Sequence, residues 1–524
     1  MTGRDTFRSY SLTRRSLLGK AGVALAGAGV LGAGAPATVQ SVFAAALQQD
    51  GGTLTVGTVG DFLNLDPFVL TFVNYPVMEN IYDQLVRLDQ ETNPQPWLAE
   101  SWALSDDFLT LTLNLRKGVT FHSGRELVAA DVVANFERAR VQETGGNLYA
   151  NMAAISTVTA IDSSTVEIKF TQPAAYIYSA LGLISIIEPE KFENLASEAA
   201  GTGAFSVKEW IPGDHATFIK NAAYWDTDRP LVDEITIQIY GDEGSLVSAL
   251  EGGILDIAVG IPAREMDRLA QSFTIVKGQP GARFYYLGMS PKLAPFDNKL
   301  VRQAMAHAID RQTLVDNVLF GAGIPIATPF PESSPAYFPE HAEMYPYDLD
   351  KAKELLTQAG FADGFTFTIP TPSGFPEIGQ FAQIFQADLA TIGCTLNIEP
   401  MDNAQWYPIL REGTYEAIFS FAGGPQLYPT RIALSANFAA VDNTAWPEGN
   451  PPAAYAEGLQ AADATFDPEQ QKVALKQMTD SFMDEAWNVA VSFKSDLFAL
   501  TNQITGFDFG VYSQPRFDNV SKNG

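Results

Sequence analysis

The chain has 524 residues, 46% of them apolar, and a formal net charge of −28 at pH 7. This size predicts two or three lobes with large buried cores, and so acidic a chain repels the phosphates of nucleic acids, which argues against them as partners. The single cysteine, Cys394, excludes an intrachain disulfide, and the four histidines are too widely spaced for a metal-binding motif.

The N-terminal segment has the three parts of an export signal. Arg14 and Arg15 precede a glycine-rich apolar run at 21–35, and Ala-x-Ala cleavage sites end at Ala37 and Ala46. Paired arginines ahead of a weakly hydrophobic run resemble a twin-arginine (Tat) signal. We expect cleavage at the second site and no lipid anchor, because the segment contains no cysteine. An uncleaved membrane anchor is the alternative, which the short, glycine-rich run disfavours.

Alternating apolar residues predict strands in the first half of the chain. The first strand is TLTVGTV (53–59), and alternating patterns also occupy 109–115, 165–170 and 233–240. Between the second and third of these strands, the segment ADVVANFERAR places three apolar residues on one helical face. The first half therefore combines strands with helices.

Helical and strand patterns follow one another in the second half. Apolar spacing predicts a helix pair over 298–321, with a break at Asp310. A strand at 365–369, a helix and a strand at 395–399 form a β-α-β unit, which implies a sheet with a crossover helix. Near the C-terminus, 489–500 is apolar enough to form one buried strand.

The chain lacks the motifs that common enzyme classes use. It has no GxSxG nucleophile motif, no GxxxxGK[ST] phosphate loop and no GxGxxG fingerprint after a strand. Adjacent acids such as Asp106-Asp107 and Asp484-Glu485 are better explained as solvated surface than as glycosidase pairs. We therefore expect no catalytic residues, no metal and no cofactor, and a binding protein rather than an enzyme. A secreted hydrolase is the alternative, because active sites also assemble from distant residues.

Four segments resemble one known family. They begin with PWLAESW, GTGAFSV, VRQAMAH and YPYDLDK, and they cover 96–139, 201–225, 301–323 and 345–361. Together they are similar to the family 5 extracellular solute-binding proteins, the peptide/nickel-type receptors of ABC importers. The similarity extends from about residue 52 to 515, with one small departure, FHSG in place of FHDG, at Ser123. The matched residues are mainly structural, so none of them is expected to bind the ligand.

This resemblance implies an α/β fold of the type II periplasmic-binding class. Two lobes, the first with an added subdomain, are joined by a hinge of two strands, and they close over a solute in the cleft. We expect the chain to cross between the lobes near 285–290 and 490–493. The expected boundaries are 1–46 for the signal peptide, 50–285 with 493–524 for lobe I, about 95–200 for its subdomain, and 286–492 for lobe II.

The stretch FSFAGGPQLYPTR (419–431) is expected to form one wall of that cleft. In relatives that bind peptides, a Trp-x-x-Asp element here pairs its carboxylate with the α-amino group of the peptide. This chain has Ala-Gly-Gly-Pro at 422–425 in that place, without an acid. A buried ammonium group without a carboxylate is costly. Either another acid therefore substitutes, or the ligand lacks that amine.

The expected ligand contacts are mostly aromatic, which suits apolar side chains or sugar rings. Packing is an alternative role for Phe419 and Phe421, because alternate residues of their strand must face the core. Arg431 is suited to pair with a ligand carboxylate. The full set is Trp406, Phe419, Phe421, Gly424, Tyr428 and Arg431 in the second lobe and, on family position alone, Asn74 and Tyr75 in the first lobe.

The sequence therefore predicts a receptor that works outside the cytoplasmic membrane. The resemblance implies that it captures peptides or peptide-like solutes and delivers them to ABC permease subunits. An oligosaccharide receptor of the same fold is the alternative. We expect a monomer that is periplasmic or otherwise extracytoplasmic, exported by the Tat route and not a lipoprotein.

Overall fold

The structure is a computed structural model that describes residues 51–69, 74–89, 92–423, 428–510 and 512–523. The expected signal peptide and its cleavage sites lie outside the described residues. No helix within the described ranges is long and apolar enough to cross a membrane.

Strands occur along the whole described chain. In chain order they are β1 (Thr53–Val59), β2 (Val86–Leu88), β3 (Pro94–Pro96), β4 (Ala99–Leu104), β5 (Thr110–Leu115), β6 (Ile155–Ala160), β7 (Thr165–Phe170), β8 (Phe205–Ile211), β9 (His215–Lys220), β10 (Glu234–Tyr240), β11 (Ile257–Val259), β12 (Thr274–Lys277), β13 (Arg283–Met289), β14 (Ile324–Pro325), β15 (Thr366–Pro372), β16 (Thr395–Met401), β17 (Ala417–Gly423), β18 (Asn488–Lys494), β19 (Leu497–Leu500), β20 (Ile504–Thr505), β21 (Asp508–Phe509), β22 (Pro515–Arg516) and β23 (Ser521–Lys522).

The α-helices are concentrated in the second half. In chain order they are α1 (Tyr75–Ile81), α2 (Ala129–Ala139), α3 (Gln142–Gly145), α4 (Ile177–Leu181), α5 (Glu243–Glu251), α6 (Met266–Leu269), α7 (Lys299–His307), α8 (Arg311–Val318), α9 (Pro339–Ala342), α10 (Leu349–Gln358), α11 (Pro376–Thr391), α12 (Asn403–Glu412), α13 (Ala453–Asp463) and α14 (Pro468–Glu485). The predicted break at Asp310 is confirmed, since its carboxylate accepts from Thr313 N–H (3.0 Å) and begins α8.

The first lobe contains a large mixed sheet and a smaller antiparallel one. The large sheet has the order β12-β19-β11-β1-β10-β9-β8, in which β1 runs parallel to both β10 and β11. The smaller sheet, β4-β5-β7-β6, includes the predicted strand with alternating leucines. Leu111, Leu113 and Leu115 are at most 2% exposed, so the period-two pattern is confirmed as one buried face.

The second lobe has its own sheet and its own core. The sheet order is β14-β18-β13-β17, and a second buried cluster surrounds it, separate from the first-lobe core. The predicted β-α-β unit is confirmed, because β15 and β16 pair in parallel and α11 connects them. This gives the molecule two α/β lobes.

The chain passes between the two large sheets twice. It leaves β12 of the first sheet for β13 of the second, and it returns from β18 to β19. The expectation of one strand over 489–500 is wrong, because Ser495 and Asp496 separate two strands that belong to different sheets. The passages, 278–282 and 495–496, lie a few residues from those expected. Independent movement of the lobes stays a prediction.

Candidate functional site

Charged residues gather where the chain passes between the sheets. Arg283 begins β13 and Lys494 ends β18, and the antiparallel register places them opposite each other. Asp496, two residues further on, forms an ion pair with Arg283, and Glu377 of α11 lies 3.5 Å from the Lys494 ammonium. We call Tyr75, Arg283, Glu377, Lys494 and Asp496 the crossing cluster.

Burial decides how these charges behave. Burial lowers the pKa of Lys494, and the nearby Arg283 guanidinium lowers it further. Burial also disfavours the charged form of Arg283, but the Asp496 carboxylate outweighs this effect, so the pKa of Arg283 is raised. Asp496 is 8% exposed, and its Oδ2 has no hydrogen-bond partner among the residues that the structure describes. That oxygen therefore lacks the hydrogen bond that a buried carboxylate oxygen normally accepts.

Aromatic rings line the cluster on both sides. Tyr75 and Tyr512 of the first lobe stack with centroids 6.2 Å apart. Burial raises the pKa of Tyr75 to about 12, while the Arg283 guanidinium lowers it and the Asp496 carboxylate raises it, so the Tyr75 hydroxyl lies near these two charges. On the second lobe, the Lys494 ammonium lies 5.6 Å from the ring centroid of Phe421. The site therefore offers charges of both signs next to apolar surface.

A second group of contacts joins the lobes through residues outside the crossing strands. The Arg431 guanidinium donates to Asp463 (2.6 Å) and lies 3.7 Å from the ring centroid of Tyr176 in the first lobe. Ala175 N–H donates to the carbonyl of Asp463 (2.9 Å). Tyr428 packs on the first-lobe core and donates to the carbonyl of Ala462 (2.9 Å). These contacts give Arg431 a protein carboxylate as its partner.

Other expected ligand contacts are buried. Trp406 and Phe419 are both 0% exposed in the second-lobe core, so neither ring has surface to offer a solute in this arrangement. Asn74 is 1% exposed, and its amide fixes the loop before α1 by accepting from Leu63 N–H (2.9 Å). Gly424 lies outside the described residues. A role in ligand binding stays a prediction for all of these residues.

Sequence reasoning missed the four charged members of the crossing cluster. The available signal was their position, since Arg283 and Lys494 stand at the ends of the apolar strands that were expected to cross. Tyr75 and Phe421, by contrast, were expected at the cleft, and the structure places both beside these charges. Contact of these two residues with a solute stays a prediction.

Comparison with known proteins identifies what the chain resembles as a whole. Residues 93–446 match the family described as bacterial extracellular solute-binding proteins, family 5. The chain is 30% identical to the glutathione-binding protein GsiB of Salmonella choleraesuis over 480 residues, which covers 87% of this chain and 91% of that protein.

Solved structures share the fold. The periplasmic binding protein DppA of Helicobacter pylori, associated with an ABC transporter and solved with the peptide STSA, has a TM-score of 0.77 at 25% identity, covering 91% of this chain and 99% of its own. NikA of Brucella suis, solved with Fe(III)-EDTA, has a TM-score of 0.81 at 21% identity, covering 90% and 100%. The second likeness concerns the fold alone.

Proposed function

Since the chain belongs to the family 5 bacterial extracellular solute-binding proteins, we propose that it captures a peptide or peptide-like solute between its lobes and delivers it to an ABC importer. The observation that carries this proposal is the similarity to a glutathione-binding protein along 87% of the chain. Glutathione is a tripeptide derivative, and DppA was solved with a peptide. Both relatives are binding proteins, which supports a receptor rather than an enzyme.

The crossing cluster is the part of the molecule that we assign to the solute. A peptide-like solute carries carboxylate and ammonium groups, and this cluster presents Arg283 and Lys494 beside Asp496 and Glu377. Charge-assisted hydrogen bonds to such groups are stronger than neutral ones. The rings of Tyr75 and Phe421 supply apolar contact for the rest of the solute.

Asp496 is our candidate for the acid that replaces the missing amine anchor. The expected position of the amine anchor, 422–425, contains no acid. The two alternatives were a substitute acid or a ligand without that amine, and we favour the substitute acid. One carboxylate oxygen of Asp496 accepts a hydrogen bond from Arg283, and the other, buried oxygen has no partner within the described ranges. An ammonium group donating to that oxygen would satisfy both charges in a site of low dielectric.

The N-terminal segment supports a proposal about location. We assign residues 1–46 to a Tat signal that is cleaved after Ala46, so that the receptor works outside the cytoplasmic membrane. Replacing Arg14 and Arg15 by lysine should leave the chain in the cytoplasm, as measured by fractionation. Unchanged export would contradict the Tat assignment without affecting the binding proposal.

Isothermal titration of the purified chain tests the solute class. We expect one-to-one binding of glutathione or another short peptide, no binding of maltooligosaccharides, and full recovery of the peptide after incubation. Chromatography of the recovered peptide distinguishes binding from hydrolysis. Binding of sugars alone, or cleavage of the bound peptide, would contradict the proposal.

A further inference from the structure

The second lobe contains a cavity that the crossing cluster does not line. It lies along β14, the edge of the second-lobe sheet opposite β17, and its volume is about 850 Å³. The N-terminus of α8, the segment after β14 and the segment before α10 form its walls. A volume of this order is typical of small-molecule sites.

The walls of this cavity are largely apolar. Phe330 is 2% exposed within the wall, whereas Ile324 and Tyr347 are each 43% exposed. Exposed side chains of this size are ordinary when they are isolated, but these two line one cavity together. The cavity therefore offers apolar surface that a ligand would remove from water.

One buried cation lies in the wall. Arg311 is 8% exposed, and its Nε and Nη1 groups donate to the carbonyls of Ile326 (2.9 Å), Ala490 (3.0 Å) and Tyr345 (2.8 Å). Its buried Nη2 has no acceptor among the described residues. Within the same ranges no carboxylate forms an ion pair with this guanidinium, and the adjacent Asp310 is engaged by Thr313 at the start of α8.

This arrangement leaves a positive charge without a counter-charge. Burial lowers the pKa of Arg311 to about 10, so the guanidinium stays charged at neutral pH. Buried charges are normally paired, because an unpaired one is costly to remove from water. An anion bound in the cavity beside Arg311 would supply the missing counter-charge.

We propose that this cavity is a second ligand site that takes an apolar monocarboxylate. The carboxylate binds at Arg311, and the apolar chain lies against Phe330, Ile324 and Tyr347. Glu332, an exposed acid that also lines the cavity, opposes the binding of an anion. No residue of the crossing cluster lines this cavity, although Gln279 and Pro280 of the first passage between the sheets do.

Titration of the purified chain with decanoate, below its micellar concentration, tests this proposal. Decanol, which has the same chain length and no charge, is the matched ligand. We expect decanoate to bind at least tenfold more tightly than decanol. Equal affinity for the two, or no binding of decanoate, would overturn the proposal.

Two surface variants locate the binding without disturbing Arg311. Ser333→Trp fills the cavity from an exposed position that lines it, and it should abolish decanoate binding while leaving peptide binding unchanged. Glu332→Lys should tighten decanoate binding about threefold at low salt, because it replaces a repulsive charge with an attractive one. Ser197→Trp and Glu193→Lys, at exposed sites in the first lobe, are the matched controls and should change nothing. An unchanged affinity for decanoate in Ser333→Trp, or in Glu332→Lys, would contradict the assignment.

Discussion

Phe466 connects the lobes outside the crossing cluster. It lies between α13 and α14 of the second lobe, yet it packs on the first-lobe core. Its ring centroid is 5.2 Å from that of Phe108 and 6.4 Å from that of Tyr178, the latter edge to face. If the lobes must separate to admit a solute, both contacts are lost in the open state. Phe466→Ala should therefore destabilise the closed state specifically.

The size of the effect follows from these two contacts. An aromatic pair contributes about 0.5–1.5 kcal/mol beyond burial of its area, and the 36% exposure of Phe108 places its pair at the lower end. The two together amount to about 1.5 kcal/mol, and a tenfold change in affinity corresponds to about 1.4 kcal/mol. We expect Phe466→Ala to raise the Kd for the solute about tenfold.

Titration calorimetry measures the affinity, and small-angle scattering measures the opening. A full tenfold change requires a wild type that is mostly open without solute, so the solute-free radius of gyration and the Tm should both stay nearly unchanged. The variant should need about tenfold more solute than the wild type to reach the compact form. Val473→Ala, which trims a 70% exposed side chain on α14, is the control and should match the wild type. An unchanged Kd, with compaction at the same solute concentration as the wild type, would refute the role of this contact in closure. A loss of affinity accompanied by a large fall in Tm would show that Phe466 supports folding instead.

Two further predictions concern buried ionisable groups in the first lobe. Burial would raise the pKa of Asp518, but its arginine neighbours lower it, and its carboxylate accepts from Arg87 (3.0 Å) and Arg229 (3.1 Å). Asp518→Asn should reduce the free energy of unfolding in urea by about 3 kcal/mol; a change below 1 kcal/mol would contradict this reasoning. Burial lowers the pKa of His122, whose Nε2 donates to the carbonyl of Gly203 (3.1 Å), so the folded state keeps the neutral ring. Stability should therefore fall as pH drops below the ordinary histidine pKa of about 6.5, and His122→Gln should flatten that fall between pH 7 and 5; an unchanged pH profile would contradict it.

Local patterns in the sequence predicted the elements well. The alternation of Leu111, Leu113 and Leu115 specified one buried face, and the β-α-β unit around α11 followed from the order of its patterns. These features depend on neighbours in sequence, which a single chain displays directly. The same reasoning could not decide whether Trp406 faces the cleft or the core. Periodicity separates the two faces of a helix, but it does not show which face packs against the rest of the protein.

The crossing cluster could not be predicted in the same way. Arg283 and Asp496 are far apart in sequence and meet only because β13 and β18 pair in one particular register. The split of 489–500 into two strands has a related cause, since the apolar run continues while the chain changes sheets. Both features depend on pairing between strands that are far apart in sequence, and local composition does not reveal that pairing.

The central claim is that the crossing cluster holds a peptide-like solute with its ammonium group at Asp496. Titration of one binding peptide and its N-acetylated form, against the wild type and Asp496→Asn, tests it most directly. Asp484→Asn, an exposed acid on the second lobe, is the control. The account predicts that acetylation weakens binding at least tenfold in the wild type and in the control but not in Asp496→Asn. Equal losses on acetylation in all three proteins would contradict it.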